Sequence, residues 1–200
     1  MTENNNHTQP QKSQGIQDTN KAVLSYLHDV VFLLAGALLV FLLLFRIVVV
    51  SGSSMHDTLV NGDYVLLLNN IFCTDPKQGD IVVVSKKSFK DGEPIIKRVI
   101  ATEGQTVTIK NGQVMVDGVV LEEDYLDPDV VTLTAEPISV TVEKGHIFCL
   151  GDNRGVSKDS RSSEIGQIDC REVLGKAILN FLPRNTSGKG FDFSRFGGIS

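Results

Sequence analysis

The chain has 200 residues, a formal net charge of -5 and 42% hydrophobic residues. That length is one principal domain with room for a real core. The acidic balance, with no Lys/Arg-rich run, argues against a nucleic-acid partner. The three cysteines, Cys73, Cys149 and Cys170, form no CxxC pair of the kind that holds zinc, so neither a metal nor a cofactor is expected.

The first 19 or so residues are rich in Asn, Gln, Ser and Thr and bury too little to fold. Residues 1–28 therefore read as a polar, disordered tail. From Val30 to Phe45 no residue is charged, and after Arg46 the apolar run resumes through Ile47–Val50. A run of about 20 such residues matches the hydrocarbon thickness of a bilayer. Residues 29–50 are expected to form a single transmembrane anchor, with Arg46 snorkelling to one interface. A cleavable leader has a shorter apolar core and lies nearer the N-terminus. A buried core helix would show a polar face, which this stretch lacks.

After Ser51 the pattern becomes β. Tyr64–Leu68, Ile81–Val84, Thr106–Ile109, Gln113–Val116, Val119–Leu121, Ile138–Val142 and His146–Leu150 are short aliphatic runs between turn residues. Asn111-Gly112 and Asp117-Gly118 are strong hairpin signals. Cys149, between Phe148 and Leu150, reads as a buried thiol in a core strand. A late strand is expected around Ala177–Leu179, and the tail from residue 184 as loosely ordered, with Phe191, Phe193 and Phe196 facing a membrane surface. The fold class is mainly β: one N-terminal transmembrane helix followed by an antiparallel β-sheet domain over residues 51–183.

Three polar clusters interrupt this pattern: Ser51–Leu59, Ile96-Lys97-Arg98, and Gly151-Asp152-Asn153-Arg154-Gly155-Val156-Ser157-Lys158-Asp159-Ser160-Arg161. An isolated serine needs a base before it acts as a nucleophile. Histidine is one choice, and His146 with Asp152 and Ser54 would in principle make a triad, but its place among alternating strand residues disfavours it. His56 lies two residues from Ser54, where strand or turn geometry points it elsewhere. Lysine is the other choice, provided burial lowers its pKa from about 10.4 towards neutrality. Lys97, between Pro94-Ile95-Ile96 and Arg98-Val99-Ile100, suits that role. Its bland reading is an edge-strand lysine. Lys86, Lys87 and Lys90 lie in a polar stretch and read as solvated. Met55 and Val48–Val50 read equally as pocket walls and as core.

Ser-Met-x-x-Thr-Leu after an apolar helix, Gly-Asp before a strand, Lys-Arg in a β run, and Gly-Asp-Asn-Arg-x-x-Ser-x-Asp-Ser-Arg together resemble bacterial type I signal peptidase, a serine-lysine protease. The match runs from the anchor to about Pro183, and the last motif is the most specific. The resemblance implies Ser54 as nucleophile and Lys97 as general base. It implies that Ser157 hydrogen-bonds the lysine nitrogen, that Asp159 and Arg161 pair to brace the last loop, and that Arg98 pairs with Asp152. It implies a backbone oxyanion donor at Ser54 N–H. Gly52, where some members carry a serine, resembles the Gram-positive form. Asp57 replaces the usual proline, Glu103-Gly104-Gln105 the usual Pro-Gly-Asp, and Gly155-Val156 the commoner Asp-Asn or Asn-Asn.

The resemblance also implies the partners: secretory preproteins, cut after small residues in an Ala-x-Ala pattern, and membrane lipid. It places the N-terminus in the cytoplasm and the β domain outside the cell membrane. The alternatives are a membrane serine-lysine protease with a narrow substrate set and an inactive anchored homologue acting as a binding protein. A soluble self-cleaving repressor on the same core is disfavoured by the anchor.

Overall fold

The computed structural model describes residues 12–56, 58–72, 75–187 and 190–199. Asp57 and Cys73 lie outside them. The chain divides into two units, Met1–Leu43 and Leu44–Ser200.

The described residues of the first unit lie in one helix, α1, Lys12–Leu44. Its segment Val23–Leu44, 22 residues of mean hydropathy 2.5, is long and apolar enough to cross a membrane. Leu24, Phe32, Leu33 and Leu38 are all exposed, as expected of side chains suited to lipid. Two expectations are corrected here. The backbone is already helical from Lys12, because extending a formed helix gains a hydrogen bond for each residue fixed; the part of the expected disordered tail before Lys12 lies outside the described residues. The helix also ends at Leu44 rather than Val50. The following Ile47-Val48-Val49 run is β-branched and forms a strand, so Arg46 sits in that strand and not on the helix.

The second unit holds β1 (Phe45–Val49), β2 (Tyr64–Asn69), β3 (Ile81–Val84), β4 (Ile95–Thr102), β5 (Thr106–Lys110), β6 (Gln113–Val116), β7 (Val119–Val120), β8 (Ile138–Thr141), β9 (His146–Leu150), β10 (Ile168–Asp169), β11 (Val173–Leu182) and β12 (Gly197–Gly198). The larger sheet runs β1-β2-β11-β3-β4-β9-β10, with β12 on β11; the smaller runs β7-β6-β5-β8. All the pairings are antiparallel. The hairpin signals are realised: Asn111 and Asp117 have φ of 52° and 53°, each followed by a glycine at 81°. Two consecutive left-handed residues match the twist of the flanking strands.

β3 is buried along its whole length. Val82 and Val84 pack with Val99, Cys149 and Ile168. Ile81 and Val83 pack on the opposite side with Met55, Leu59, Val65, Leu67 and Ala177. A strand covered on both faces reads as an unbroken apolar run, as Ile81–Val84 does. Cys149 is a fully buried free thiol in β9. β8 and β9, consecutive in sequence, belong to different sheets. The last segment is more ordered than expected: β12 pairs with β11, and Arg184 bridges Phe191. Arg184 also stacks 4.7 Å from the Phe191 ring centroid.

Candidate active site

Ser54 follows β1 in a loop anchored from below by two apolar side chains. Met55 and Leu59 are 1% and 0% exposed and belong to the core under β2, β3 and β11. Burying two such groups stabilises the loop by about 1.5–3 kcal/mol each. Met55 is thus a core side chain that also lines the cleft at Ser54.

β4 lies between β3 and β9, so Lys97 is on an interior strand and not on an edge. Lys97 is 2% exposed and its Nζ lies 2.8 Å from Ser54 Oγ and 2.8 Å from the Ile96 carbonyl. Adjacent strand residues point to opposite faces, and Arg98 accordingly serves a different partner. Its Nε and Nη2 donate to Asp152 Oδ1 and Oδ2 at 3.0 and 2.8 Å, with both side chains 1% exposed. Such a fork-to-fork pair is among the strongest polar contacts available. Tyr125 covers the Arg98 guanidinium at 3.7 Å. Burial, and the Glu123 carboxylate beside it, push the Tyr125 phenol up.

The Gly151–Arg161 loop closes on the serine loop. Asn153 donates its backbone N–H to Ser54 O at 3.0 Å and its side-chain amide to Ser53 O at 3.0 Å. Thr58 Oγ1 donates to Asp152 Oδ2 at 2.6 Å. Gly151 makes the approach feasible, because a Cβ there would lie 2.2 Å from Ser157 Oγ and 2.5 Å from Ser54 O. Arg161 grips Asp159 with Nε and Nη2, each at 2.8 Å. Arg154, with a buried side chain, pairs with Glu123 and Thr132, tying residues 123–132 to this loop. Burial lowers the Arg154 pKa but the Glu123 contact outweighs it, so the guanidinium ends above its ordinary value.

Several expectations are corrected. The Ser157–Lys97 bond is not formed: Ser157 Oγ is buried against Gly151 and has no hydrogen-bond partner among the described residues. The disfavoured alternative, a His146–Asp152–Ser54 triad, is not assembled. The His146 ring turns to the Lys144 carbonyl at 3.0 Å, and Asp152 is held by Arg98 and Thr58. Lys86 is only partly solvated; its Nζ donates to the carbonyls of Ile165 and Gln167, the latter at 2.8 Å. The effect of Asp57 falls outside the described residues.

The cleft at Ser54 has a volume of about 350 Å³ and is walled by Val48–Val50, Met55, Val83, Phe89, Ile95, Ile96 and the exposed Val156. Gly52, at φ +91°, donates its N–H to Asn61 Oδ1 at 2.9 Å. The arrangement joins a hydroxyl, a water-shielded amine and an apolar cleft, which are the parts that acyl transfer needs. Thr58, Asn153 and Gly151 had no assigned role in the sequence reading. Their only sequence signal was membership of two motifs 94 residues apart at Thr58 and Asp152.

The chain is similar to known proteins. Residues 23–182 match the family described as signal peptidase, peptidase S26. A probable signal peptidase I-1 of Synechocystis is 35% identical over 148 residues, covering 70% of this chain and 72% of that protein. A signal peptidase I of Bacillus licheniformis is 31% identical over 183 residues, covering 84% of this chain and 95% of its own. A crystal structure of a signal peptidase I from Enterococcus faecalis V583 is similar at 28% identity with a TM-score of 0.43, covering 51% of this chain and 96% of that chain.

Proposed function

The chain belongs to the signal peptidase family, peptidase S26, and on that premise we propose that it removes N-terminal signal peptides from secretory preproteins with Ser54 as nucleophile and Lys97 as general base. The observation that carries the reading is the 2.8 Å approach of Lys97 Nζ to Ser54 Oγ at the wall of an apolar cleft. An amine shielded from water loses the hydration that stabilises its ammonium form. A neutral Lys97 takes the Ser54 proton as Oγ attacks the scissile carbonyl, then gives it to the departing amine. Water completes the cycle by hydrolysing the acyl-enzyme, with Lys97 again as base. The Ser54 N–H is the oxyanion donor. The Gly52 N–H is already committed to Asn61.

Arg98–Asp152 and Asp159–Arg161 act by position: they hold the Gly151–Arg161 loop, which in turn holds the Ser54 carbonyl through Asn153. β1 is the last strand of the larger sheet, and an extended substrate segment adds along its neighbourhood with alternate side chains entering the cleft. Small side chains such as alanine fit there. With Val23–Leu44 in the membrane, the N-terminus cytoplasmic and the β unit outside, Ser54 meets the end of the precursor's own apolar segment, which raises effective concentration.

The test is incubation of an Ala-x-Ala precursor with the detergent-solubilised full chain, with the cut mapped by mass spectrometry. A cut after the second Ala supports the reading. No cut by well-folded protein rejects general preprotein processing.

A further inference from the structure

The loop bearing Ser54 is closed at its base: the Val50 N–H donates to Asp63 O at 2.9 Å, and the Gly62 N–H donates to Val50 O at 2.8 Å. One flank of this loop is held by Asp152 and Asn153. The other is held by the end of the chain. After β11 the backbone doubles back, with the Asp192 N–H donating to Pro183 O at 2.8 Å and β12 pairing with Leu179 and Asn180. This return brings Arg195 onto the serine loop.

Arg195 Nη2 donates to Thr58 O at 3.1 Å and to Asp63 Oδ2 at 3.0 Å, while Nη1 donates to Arg184 O at 3.0 Å and Asp63 Oδ1 at 3.3 Å. The Asp63 side chain is 0% exposed and that of Arg195 20%. Asp63 also accepts from the Val60 N–H, the Asn180 amide and the Arg184 N–H. Arg184 in turn lies over Gly62, where a Cβ would come within 3.1 Å of its Cγ. Thr58 is the junction, with its hydroxyl on Asp152 and its carbonyl on Arg195. One hydrogen bond, Leu59 N–H to Met55 O at 2.8 Å, closes the chain between the residue after Thr58 and the residue after Ser54. Arg195 lies beyond residue 182, where the family match ends.

We propose that the C-terminal segment is a positioning element for Ser54, acting through Arg195, so that turnover depends on a part of the chain remote from the catalytic groups. This rests on the reading of Ser54 as nucleophile. The planar guanidinium spans a carboxylate and two carbonyls at once; an ammonium, a point charge, reaches the carboxylate but not all three.

The experiment compares wild type, Arg195→Ala, Arg195→Lys and Ile109→Val, all as full chains in detergent. Ile109→Val loosens the core of the smaller sheet and controls for destabilisation alone. Turnover of an Ala-x-Ala precursor is measured per folded molecule, and amide hydrogen exchange is followed over residues 53–60. Displacing a reacting group by a fraction of an ångström predicts a kcat loss of about tenfold in Arg195→Ala with KM within about twofold. Arg195→Lys restores thermal stability more fully than kcat. Exchange in 53–60 rises in Arg195→Ala and not in Ile109→Val. The proposal is overturned if exchange is unchanged, or if kcat falls no further than in Ile109→Val. Exchange needs no turnover, so faster exchange in Arg195→Ala with an inactive wild type would reject general preprotein processing and leave the hold of Arg195 on the serine loop standing.

Discussion

The β5–β6 hairpin and the Ser54 cleft are built by opposite means. The hairpin is local: Asn111 and Gly112 turn the chain and the register follows from Lys110 opposite Gln113. The cleft is assembled from segments far apart in sequence, with Lys97 43 residues from Ser54, Asp152 94 from Thr58, and Arg195 132 from Asp63. Damage to the hairpin should therefore lower stability alone. Damage to the cleft's polar braces should lower activity out of proportion to stability.

The largest contrast is expected at the reacting groups. Ser54→Ala and Lys97→Ala should each lower kcat by at least about 10³-fold while leaving the circular dichroism spectrum unchanged. Lys97→Arg should fail as well, since a guanidinium does not deprotonate. Next comes Asp152→Ala, which strands the Arg98 guanidinium in the interior. Breaking a buried pair from one side costs about 3–5 kcal/mol, readable as a shift in denaturation midpoint, and the loss of the Thr58 contact adds a fall in kcat. Gly151→Ala drives a Cβ into Ser54 O and Ser157; overpacking of this kind costs about 1–3 kcal/mol, and kcat should fall with it.

Gly112→Ala is the hairpin counterpart. With φ at +81° and the added Cβ 3.2 Å from Val131 Cβ, it should cost about 1–2 kcal/mol with kcat per folded molecule unchanged. A large kcat loss there would break the distinction between the two regions. The smallest effect is one of pH. Burial and Glu123 raise the Tyr125 pKa above its ordinary 10.0. The unfolded chain gives up that proton at lower pH than the folded chain does. The contribution is thus complete below pH 10.0 and is lost as pH climbs towards the raised value. Tyr125→Phe should flatten the fall of thermal midpoint in alkaline buffer relative to wild type.

Elements whose signals are local were legible in the sequence. β2, β3, β5, β6 and β9 appear at nearly the expected places because period-two patterning and turn chemistry specify them. Ser54 and Lys97 were legible through their motifs, and the structure brings them together. The end of α1 was not legible: apart from Arg46, Phe45–Val49 continues the apolar run, and its β-branched residues become a strand through pairing with Tyr64–Leu68. The ordered C-terminal return was hidden for the same reason, since Asp63 and Arg195 carry no mutual signal in a Gly- and Ser-rich tail. The Ser157 hydroxyl was assigned by resemblance to the lysine, yet it lies buried beside Gly151 with no hydrogen-bond partner among the described residues.

The most direct measurement is the rate at which purified Lys97→Ala cleaves an Ala-x-Ala precursor, compared with wild type over a range of pH. Wild-type activity should rise as the amine loses its proton, and Lys97→Ala should show no cleavage above background at any pH. Substantial cleavage by Lys97→Ala at the same mapped bond would contradict the Ser54–Lys97 assignment.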